Sequence, residues 1–186
     1  MAKHAAFGNR APHCYRWAVN LGKRVTAMPN LRHIILFRHA TAEAQAASGK
    51  DMDRELSVVG AKQAEAAAVW LKQHLHDAPR IVASPSARTR ASTAALLVQY
   101  PKANVHYLNE IYDATPAKIL AVLDADPHTP LVIVGHNPGL ESALALLTTG
   151  QSSAVRGMTP GAIAWLTAPV GAVSPGCAEL KLFWSP

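Results

Sequence analysis

Residues 31–40 read LRHIILFRHA, an apolar run that ends abruptly in an arginine and a histidine. The run is short and is not interrupted by polar residues over 34–37, which is typical of a strand buried on both faces. We therefore predict a buried strand over 33–37. Arg38 and His39 follow this strand directly, so two polar side chains are expected at its carboxyl end.

Outward from this strand, helix and strand patterns alternate along the chain. Further strands are predicted at 80–83, 105–108 and 131–134, and helices at about 58–76, from 84–85 to about 99, from 115–116 to about 124, and from 137–138 through 147. Two late strands, 161–167 and 178–184, are expected to form a hairpin at a sheet edge around the Pro- and Gly-rich loop 168–177. The alternation indicates an α/β fold, a three-layer sandwich whose mostly parallel sheet carries helices on both faces.

The chain has a formal net charge of +6, but this charge is unevenly distributed. Residues 1–30 hold five of the 18 basic residues and none of the 12 acidic ones, so residues 31–186 are close to neutral. A nucleic-acid-binding protein would carry a basic patch on its fold. We therefore expect neither nucleic-acid binding nor, since no long apolar run is present, a membrane span.

Residues 1–30 form a basic N-terminal extension without a clear helical or strand period, and residues 31–186 are predicted to form one domain. Three interpretations of the extension remain open: a disordered tail, an Arg-containing targeting peptide, or a segment that is not translated because translation starts at Met28. We favour the last. The two cysteines, Cys14 and Cys177, have no metal-ligand spacing, so we expect a reduced, cytoplasmic protein without a metal site.

Three predicted strands end in polar groups of similar chemistry. Arg38 and His39 follow the first strand, residues 84–88 (SPSAR) follow the second, and residues 135–138 (GHNP) follow the strand at 131–134. Ligands of open α/β sheets bind in the crevice at the carboxyl ends of the strands. We therefore expect Arg38, His39, Arg88 and His136 to converge on one crevice.

This set of side chains is suited to a phosphoryl group. The planar fork of arginine donors matches phosphate oxygens, and helices that start at 84–85 and 137–138 would direct free backbone N–H groups toward the same crevice. A neutral imidazole, held through one ring nitrogen, can attack phosphorus with the other. The second histidine can donate a hydrogen bond to the phosphoryl oxygens.

The ordered motifs resemble the histidine phosphatase superfamily. They are Leu36-Phe37-Arg38-His39-Ala40, residues 53–60 (DRELSVVG), residues 84–88 (SPSAR) and residues 134–139 (VGHNPG). The length of the chain and the GHNP motif are similar to the SixA branch of phosphohistidine phosphatases. The resemblance implies a phosphoglycerate-mutase-like fold, an enzyme without metal or other cofactor, and His39 as the phosphorylated nucleophile. It also implies that Arg38, Arg88 and His136 complete the phosphate pocket.

Other site residues follow less directly. Asn137 and Thr41 are predicted to bind substrate, and the spacing favours Arg88 over Arg90 as the phosphate ligand. Residues 91–92 (AS) replace the Gln-Thr pair that is frequent in the family. Asp53 and Arg54 are expected either to organise the loop before the first helix or to form a surface pair.

The general acid is an open question in the sequence. Glu110 and Asp113 are the candidates, with Glu110 following a strand end. An ester substrate needs a proton donor for its alkoxide leaving group, whereas the imidazole released from phosphohistidine has a conjugate acid with a pKa near 6.5 and leaves with less help. Glu110 is thus either an acid or a solvated loop carboxylate.

Three functions remain in competition at this point. The preferred one is the hydrolysis of phosphohistidine on a protein, such as a phosphotransfer domain of a phosphorelay, a substrate that the resemblance implies. The alternatives are a phosphatase of small phosphate esters and a phosphate-binding module without turnover. A mutase is disfavoured because the chain is too short between residues 91 and 131 to hold a large cap.

Overall fold

The structure, a computed structural model, describes residues 31–186. The predictions made for residues 1–30 and for Cys14 lie outside this range. The described strands are β1 Leu31–Arg38, β2 Arg80–Ala83, β3 Asn104–Tyr107, β4 Leu131–Gly135, β5 Ile163–Pro169 and β6 Glu179–Trp184. The helices are α1 Val58–His74, α2 Ala87–Gln99, α3 Pro116–Ala125 and α4 Gly139–Thr149, with short 3-10 helices at Asp51–Asp53 and Asn109–Ile111.

The six strands form one sheet in the order β3-β2-β4-β1-β5-β6. The strands β3, β2, β4 and β1 run parallel, and β5 and β6 are antiparallel to their neighbours. This arrangement confirms the mostly parallel sheet and the late hairpin, with β6 at the edge. It also places the carboxyl ends of β2, β4 and β1 side by side.

The apolar run of β1 lies at the centre of the sheet and is buried on both faces. Successive side chains of a strand point to opposite faces. Ile34 and Leu36 pack in one cluster with residues of α3 and α4, while Ile35 and Phe37 pack in a second cluster with residues of α1 and α2. The predicted three-layer sandwich is therefore confirmed. Within residues 31–186, no helix is both long enough and apolar enough to cross a membrane.

Two helices start later than the sequence predicted. We placed the start of α2 at residues 84–85, but Ser86 has an extended backbone and α2 begins at Ala87. Similarly, α4 begins at Gly139 and not at 137–138, since Pro138 takes the cap position. Residues 84–86 and 136–138 are consequently loop residues at the strand ends, where their side chains and backbone groups can face the crevice.

The start of α1 is held tightly against the loop that follows His39. Ser57 caps α1 by accepting a hydrogen bond from the Gly60 N–H, and its own N–H donates to the Thr41 carbonyl oxygen at 3.0 Å. A Cβ atom on Gly60 would lie 1.8 Å from that same oxygen. Only glycine therefore fits at this close approach of helix and loop.

We expect Gly60→Ala to lower the free energy of unfolding by about 1–3 kcal/mol or more, because the added methyl group must push the Thr41 backbone away. Urea unfolding measures this loss. The neighbouring Val59→Ala is the control, since Val59 is 61% exposed and its truncation should change stability by about 0.5 kcal/mol at most. Equal stability of the two variants would contradict the packing argument.

Candidate phosphoryl-transfer site

His39 lies immediately after β1 with its ring held in one orientation. Its backbone N–H donates to the Gly135 carbonyl oxygen at 3.0 Å, which ties it to the end of β4. Its Nδ1 lies 2.7 Å from the Ala40 carbonyl oxygen. Since a carbonyl can only accept, Nδ1 carries the proton and Nε2 carries the lone pair. Nε2 has no hydrogen-bond partner among residues 31–186 and is available as a nucleophile.

The environment of His39 keeps this ring neutral. Burial is the main cause of its depressed pKa, and the positive charges of Arg88 and Arg38 act in the same direction; the hydrogen bond to Ala40 opposes them. Together they lower the pKa of His39 from 6.5 to about 4. At neutral pH the ring is therefore unprotonated at Nε2, which is the state that nucleophilic attack requires.

The depressed pKa of His39 predicts that the protein loses stability on acidification. Between pH 6.5 and 4 the unfolded chain binds a proton that the folded His39 does not, so the free energy of unfolding falls as the pH falls. At pH 5 this loss is about 2 kcal/mol relative to pH 7, from 1.36 kcal/mol per pKa unit. Urea unfolding at both pH values, for the wild type and for His39→Ala, checks this. The variant should lose less stability than the wild type, and an equal loss would contradict a depressed pKa.

His136 follows β4 and packs against His39, with ring centroids 4.9 Å apart. Its Nε2 lies 2.9 Å from the Ser84 hydroxyl, which in turn accepts from the Ser86 N–H at 3.4 Å. When the Ser84 hydroxyl donates to Nε2, Nδ1 carries the ring proton. Burial, followed by the nearby His39 and Arg88, lowers the pKa of His136 to about 3. His136 is therefore a neutral hydrogen-bond donor.

Two arginines flank the histidines, and each is fixed by backbone carbonyl groups. The Arg38 Nη1 donates to the Met158 carbonyl oxygen at 2.5 Å, ahead of β5. Arg88, on the first turn of α2 and only 6% exposed, donates from Nη1 to the Asp51 carbonyl oxygen at 2.6 Å. Both guanidinium groups are thus fixed in position at the crevice.

Several buried N–H donors of this cluster have no acceptor in the described part of the chain. They are Nε of Arg38, Nε of Arg88 and Nδ1 of His136. An unpaired buried donor costs about 1–3 kcal/mol, so buried polar groups are normally satisfied. Three unpaired donors with two positive charges, around a nucleophilic histidine, favour binding of an anion with several oxygens. A phosphoryl group has this chemistry.

Asp51, Arg54 and Tyr112 belong to the site, although the sequence did not single out Asp51 or Tyr112. The Asp51 carboxylate accepts from Arg88 at 2.8 Å, from Arg54 at 3.0 Å and from the Tyr112 hydroxyl. The hydrogen bonds from Tyr112 and Arg88 lower the pKa of Asp51 to about 2, so it is ionised. Arg54 also donates to the Glu43 carbonyl oxygen, so it organises the loop before α1, with Asp51 and not Asp53 as its partner.

The remaining predicted residues are placed differently. Thr41 donates its hydroxyl and backbone N–H to the Gln63 side chain, so these two groups are bound to α1. The Asn137 amide nitrogen donates to Glu141 at 2.7 Å and to the Met158 carbonyl oxygen at 3.0 Å. The latter acceptor also holds Arg38, so Asn137 supports the arginine. Ser92, where the family frequently has another residue, donates to the Arg88 carbonyl oxygen and accepts from the Ala40 N–H.

The two candidate acids, Glu110 and Asp113, differ in whether they line a pocket beside His136. Glu110 is exposed in the short 3-10 helix Asn109–Ile111 and makes no hydrogen bond with the central residues. Asp113 instead lines an open pocket of about 250 Å³ together with His136, Tyr112, Pro138 and Ser142. Arg90 is exposed, with its guanidinium 4.0 Å from the Tyr107 ring centroid, whereas Arg88 is buried. Within residues 31–186, no group of three His, Cys, Asp or Glu side chains is arranged to hold a metal ion.

Comparison with known proteins gives one family match and several similar structures. The model of the histidine phosphatase superfamily (branch 1) matches residues 34–114, a stretch that includes Arg38, His39 and Arg88. An uncharacterized chloroplastic protein of Arabidopsis thaliana is 31% identical over 137 residues, which are 63% of this chain and 59% of that protein. The aligned region therefore spans less than two thirds of this relative.

Two solved structures match a larger share of the chain. A protein of Agrobacterium tumefaciens assigned as the phosphohistidine phosphatase SixA is 26% identical, with a TM-score of 0.72 over 86% of this chain and 100% of that one. Its counterpart from Nakamurella multipartitia is 29% identical, with a TM-score of 0.72 over 86% of this chain and 99% of that one. Over residues 34–114 the chain is therefore similar to the histidine phosphatase superfamily. Within that superfamily it is structurally similar to the SixA proteins.

Proposed function

We propose that the protein is a phosphohistidine phosphatase that transfers the phosphoryl group of a protein histidine to His39 and then to water. The observation that carries this proposal is the geometry of His39. Its Nδ1 is held by the Ala40 carbonyl oxygen, its Nε2 is free, and unpaired N–H donors of Arg38, Arg88 and His136 surround it. The two SixA-type relatives, both assigned as phosphohistidine phosphatases, support the choice of substrate.

In the first step, the lone pair of His39 Nε2 forms a bond to phosphorus while the N–P bond of the substrate breaks. The electron pair of that bond stays on the leaving imidazole, which takes up a proton from solvent water. Charge on the three phosphoryl oxygens is stabilised by Arg38, by Arg88 and by the N–H of His136. Since the Ala40 carbonyl oxygen accepts from Nδ1–H, it also stabilises the positive charge that develops on the His39 ring.

In the second step, water attacks phosphorus on the side opposite to Nε2. The N–P bond of phosphohistidine 39 breaks, its electron pair returns to Nε2, and inorganic phosphate leaves. The low pKa of His39 favours this step because the free neutral ring is stable in this environment. The cycle needs no group other than the protein, its substrate and water.

The leaving group decides between phosphohistidine and ester substrates. No carboxylic acid in the described residues is hydrogen-bonded to His39 or His136, and Glu110 is exposed. A site in which no acid is hydrogen-bonded to either histidine favours a leaving group of low basicity, such as imidazole. We propose a phosphorylated protein, such as a phosphotransfer domain, as the partner, and the cytoplasm as the place of action.

The test is a comparison of initial rates of phosphate release from a phosphohistidine-bearing phosphotransfer protein and from a set of small phosphate esters. We expect a preference of at least about 10²-fold in kcat/KM for phosphohistidine, the lower value typical of a missing general acid. A preference for esters would overturn the substrate assignment. Stoichiometric binding of phosphate without any release would favour the binding module instead.

A phosphatase of small esters is the second candidate, and the position of Asp113 beside His136 favours it. If esters are turned over, Asp113→Asn should lower kcat on esters by about 10²-fold, because the alkoxide then lacks its proton donor. Glu110→Gln, a matched change in the same loop, should leave the rate within about twofold, as expected for a solvated carboxylate. A loss in Glu110→Gln alone would assign the acid to Glu110.

A further inference from the structure

Asp51 connects three separate segments that surround the crevice. It lies in the loop between β1 and α1, and its carboxylate accepts from Arg54 of the same loop, from Arg88 of α2 and from Tyr112, which follows β3. Its side chain is 50% exposed, yet three donors converge on it. A carboxylate with two oxygens and three directed donors is held in a single orientation.

Through these contacts Asp51 decides which edge of Arg88 remains for a ligand. The Arg88 Nη1 donates to the Asp51 carbonyl oxygen at 2.6 Å and Nη2 to its carboxylate at 2.8 Å, so Asp51 occupies the end of the guanidinium. Nε, which lies on the side edge, is buried and has no hydrogen-bond partner in the described residues 31–186. The guanidinium is therefore oriented so that its Nε edge remains available to a ligand.

Tyr112 transmits the same constraint to His136. Its hydroxyl donates to Asp51, its ring lies 5.8 Å from the Arg88 guanidinium carbon, and its ring stands edge-on to His136 with centroids 5.4 Å apart. The Tyr112 ring thus packs between two predicted phosphate ligands. Loss of the Asp51 carboxylate would free both the arginine and this ring.

We propose that Asp51 is a positioning residue for phosphoryl binding, which acts by holding Arg88 end-on and Tyr112 against His136. The inference rests on the proposed function, because it takes a phosphoryl group as the ligand. Asp51 itself does not touch that group. Its negative charge would repel an incoming dianion, but Arg54 and Arg88 already neutralise it and water screens a half-exposed carboxylate. The orientation of Arg88 is therefore the larger effect.

The chain offers a matched control in the same short helix. Asp53 is also an exposed aspartate, but among residues 31–186 its carboxylate accepts only from the Ser48 hydroxyl. We expect Asp51→Asn to raise KM and the dissociation constant of inorganic phosphate by about tenfold, with kcat changed less, as for loss of one charged contact. Asp53→Asn should change neither value. Isothermal titration calorimetry with inorganic phosphate and steady-state kinetics measure both.

A double-mutant cycle separates positioning from general loss of structure. If Asp51 acts through Arg88, Asp51→Asn should have little effect in an Arg88→Lys background, since lysine has no fork to orient. Additive losses would overturn the proposal, as would an Asp51→Asn variant that matches Asp53→Asn or binds phosphate more tightly than the wild type. Tighter binding would make Asp51 a competitor of phosphate. If Asp51→Asn does not fold, Tyr112→Phe is the second variant, because it removes the hydroxyl that donates to Asp51. It should raise the phosphate dissociation constant about threefold. An unchanged dissociation constant would overturn the proposal.

Calorimetry and kinetics together also distinguish a failure of this inference from a failure of the proposed function. Phosphate binding by calorimetry does not depend on turnover. If the wild type binds phosphate but hydrolyses nothing, the proposed function fails while the effect of Asp51→Asn on binding still decides the role of Asp51. If the wild type is active and the two aspartate variants behave alike, only the role of Asp51 fails.

Discussion

Replacement of His39 by alanine is expected to abolish turnover, with a loss of roughly 10⁴-fold or more in kcat, as is typical when a covalent nucleophile is removed. The variant has no atom that can accept the phosphoryl group. Arg38, Arg88 and His136 remain, so inorganic phosphate should still bind within about tenfold of the wild type. Activity and phosphate binding are thus expected to separate in this variant.

The measurement combines kinetics with trapping of the intermediate. After brief exposure to substrate, mass spectrometry under alkaline conditions should find one phosphoryl group on the wild type, in the peptide that contains His39. His106→Ala, a change of an exposed histidine on β3, is the control and should be as active as the wild type. An active His39→Ala variant, or a phosphoryl group on the peptide that contains His136, would assign the nucleophile elsewhere.

The assignment of His39 over His136 rests on opposite hydrogen bonding of the two rings. The His39 Nδ1–H donates a hydrogen bond to a carbonyl oxygen, which can only accept, so the lone pair is on Nε2. With the Ser84 hydroxyl donating a hydrogen bond to His136 Nε2, the N–H of His136 is at Nδ1. The first ring is prepared to attack and the second to donate. Both have depressed pKa values from burial and from the nearby arginines, which keeps both neutral.

The fold followed from sequence because its central strand carries an unambiguous pattern. Residues 34–37 are apolar on every side chain, and both faces of β1 are in fact buried. Once the strands were placed, the rule that ligands bind at carboxyl ends brought Arg38, His39, Arg88 and His136 together without knowledge of the strand order. Helix starts were less accurate, because proline and serine at residues 84–86 are compatible with either a loop or a first turn.

The network around Asp51 could not be predicted from sequence. Asp51 is separated from Arg88 by 37 residues and from Tyr112 by 61, so no local spacing links them. For the same reason the sequence did not distinguish Glu110 from Asp113. The short 3-10 helix Asn109–Ile111 decides which of these carboxylates lines the pocket beside His136. A helix of three residues is too short to show a periodic pattern in the sequence.

Arg88→Ala is expected to reduce kcat/KM by roughly 10²- to 10³-fold, the effect typical of removing one strong donor from a site that stabilises developing charge. Arg88 is 6% exposed and supplies an Nε donor that has no partner among residues 31–186, so the alanine variant loses this donor from the site. The alanine variant also frees Asp51, but this half-exposed carboxylate keeps Arg54 and Tyr112 as partners, and folding should be preserved.

The control is Arg90→Ala, two residues further along α2. Arg90 is exposed, donates to the Pro85 carbonyl oxygen at 2.8 Å and stacks on Tyr107, so its loss removes the same charge from the same helix without touching the crevice. Its activity should stay within about threefold of the wild type, and its stability within about 1 kcal/mol. If the two variants lost activity equally, the effect would come from the overall positive charge of α2. A loss confined to Arg88→Ala requires a directed contact, because a charge effect in solvent would act almost equally from both positions.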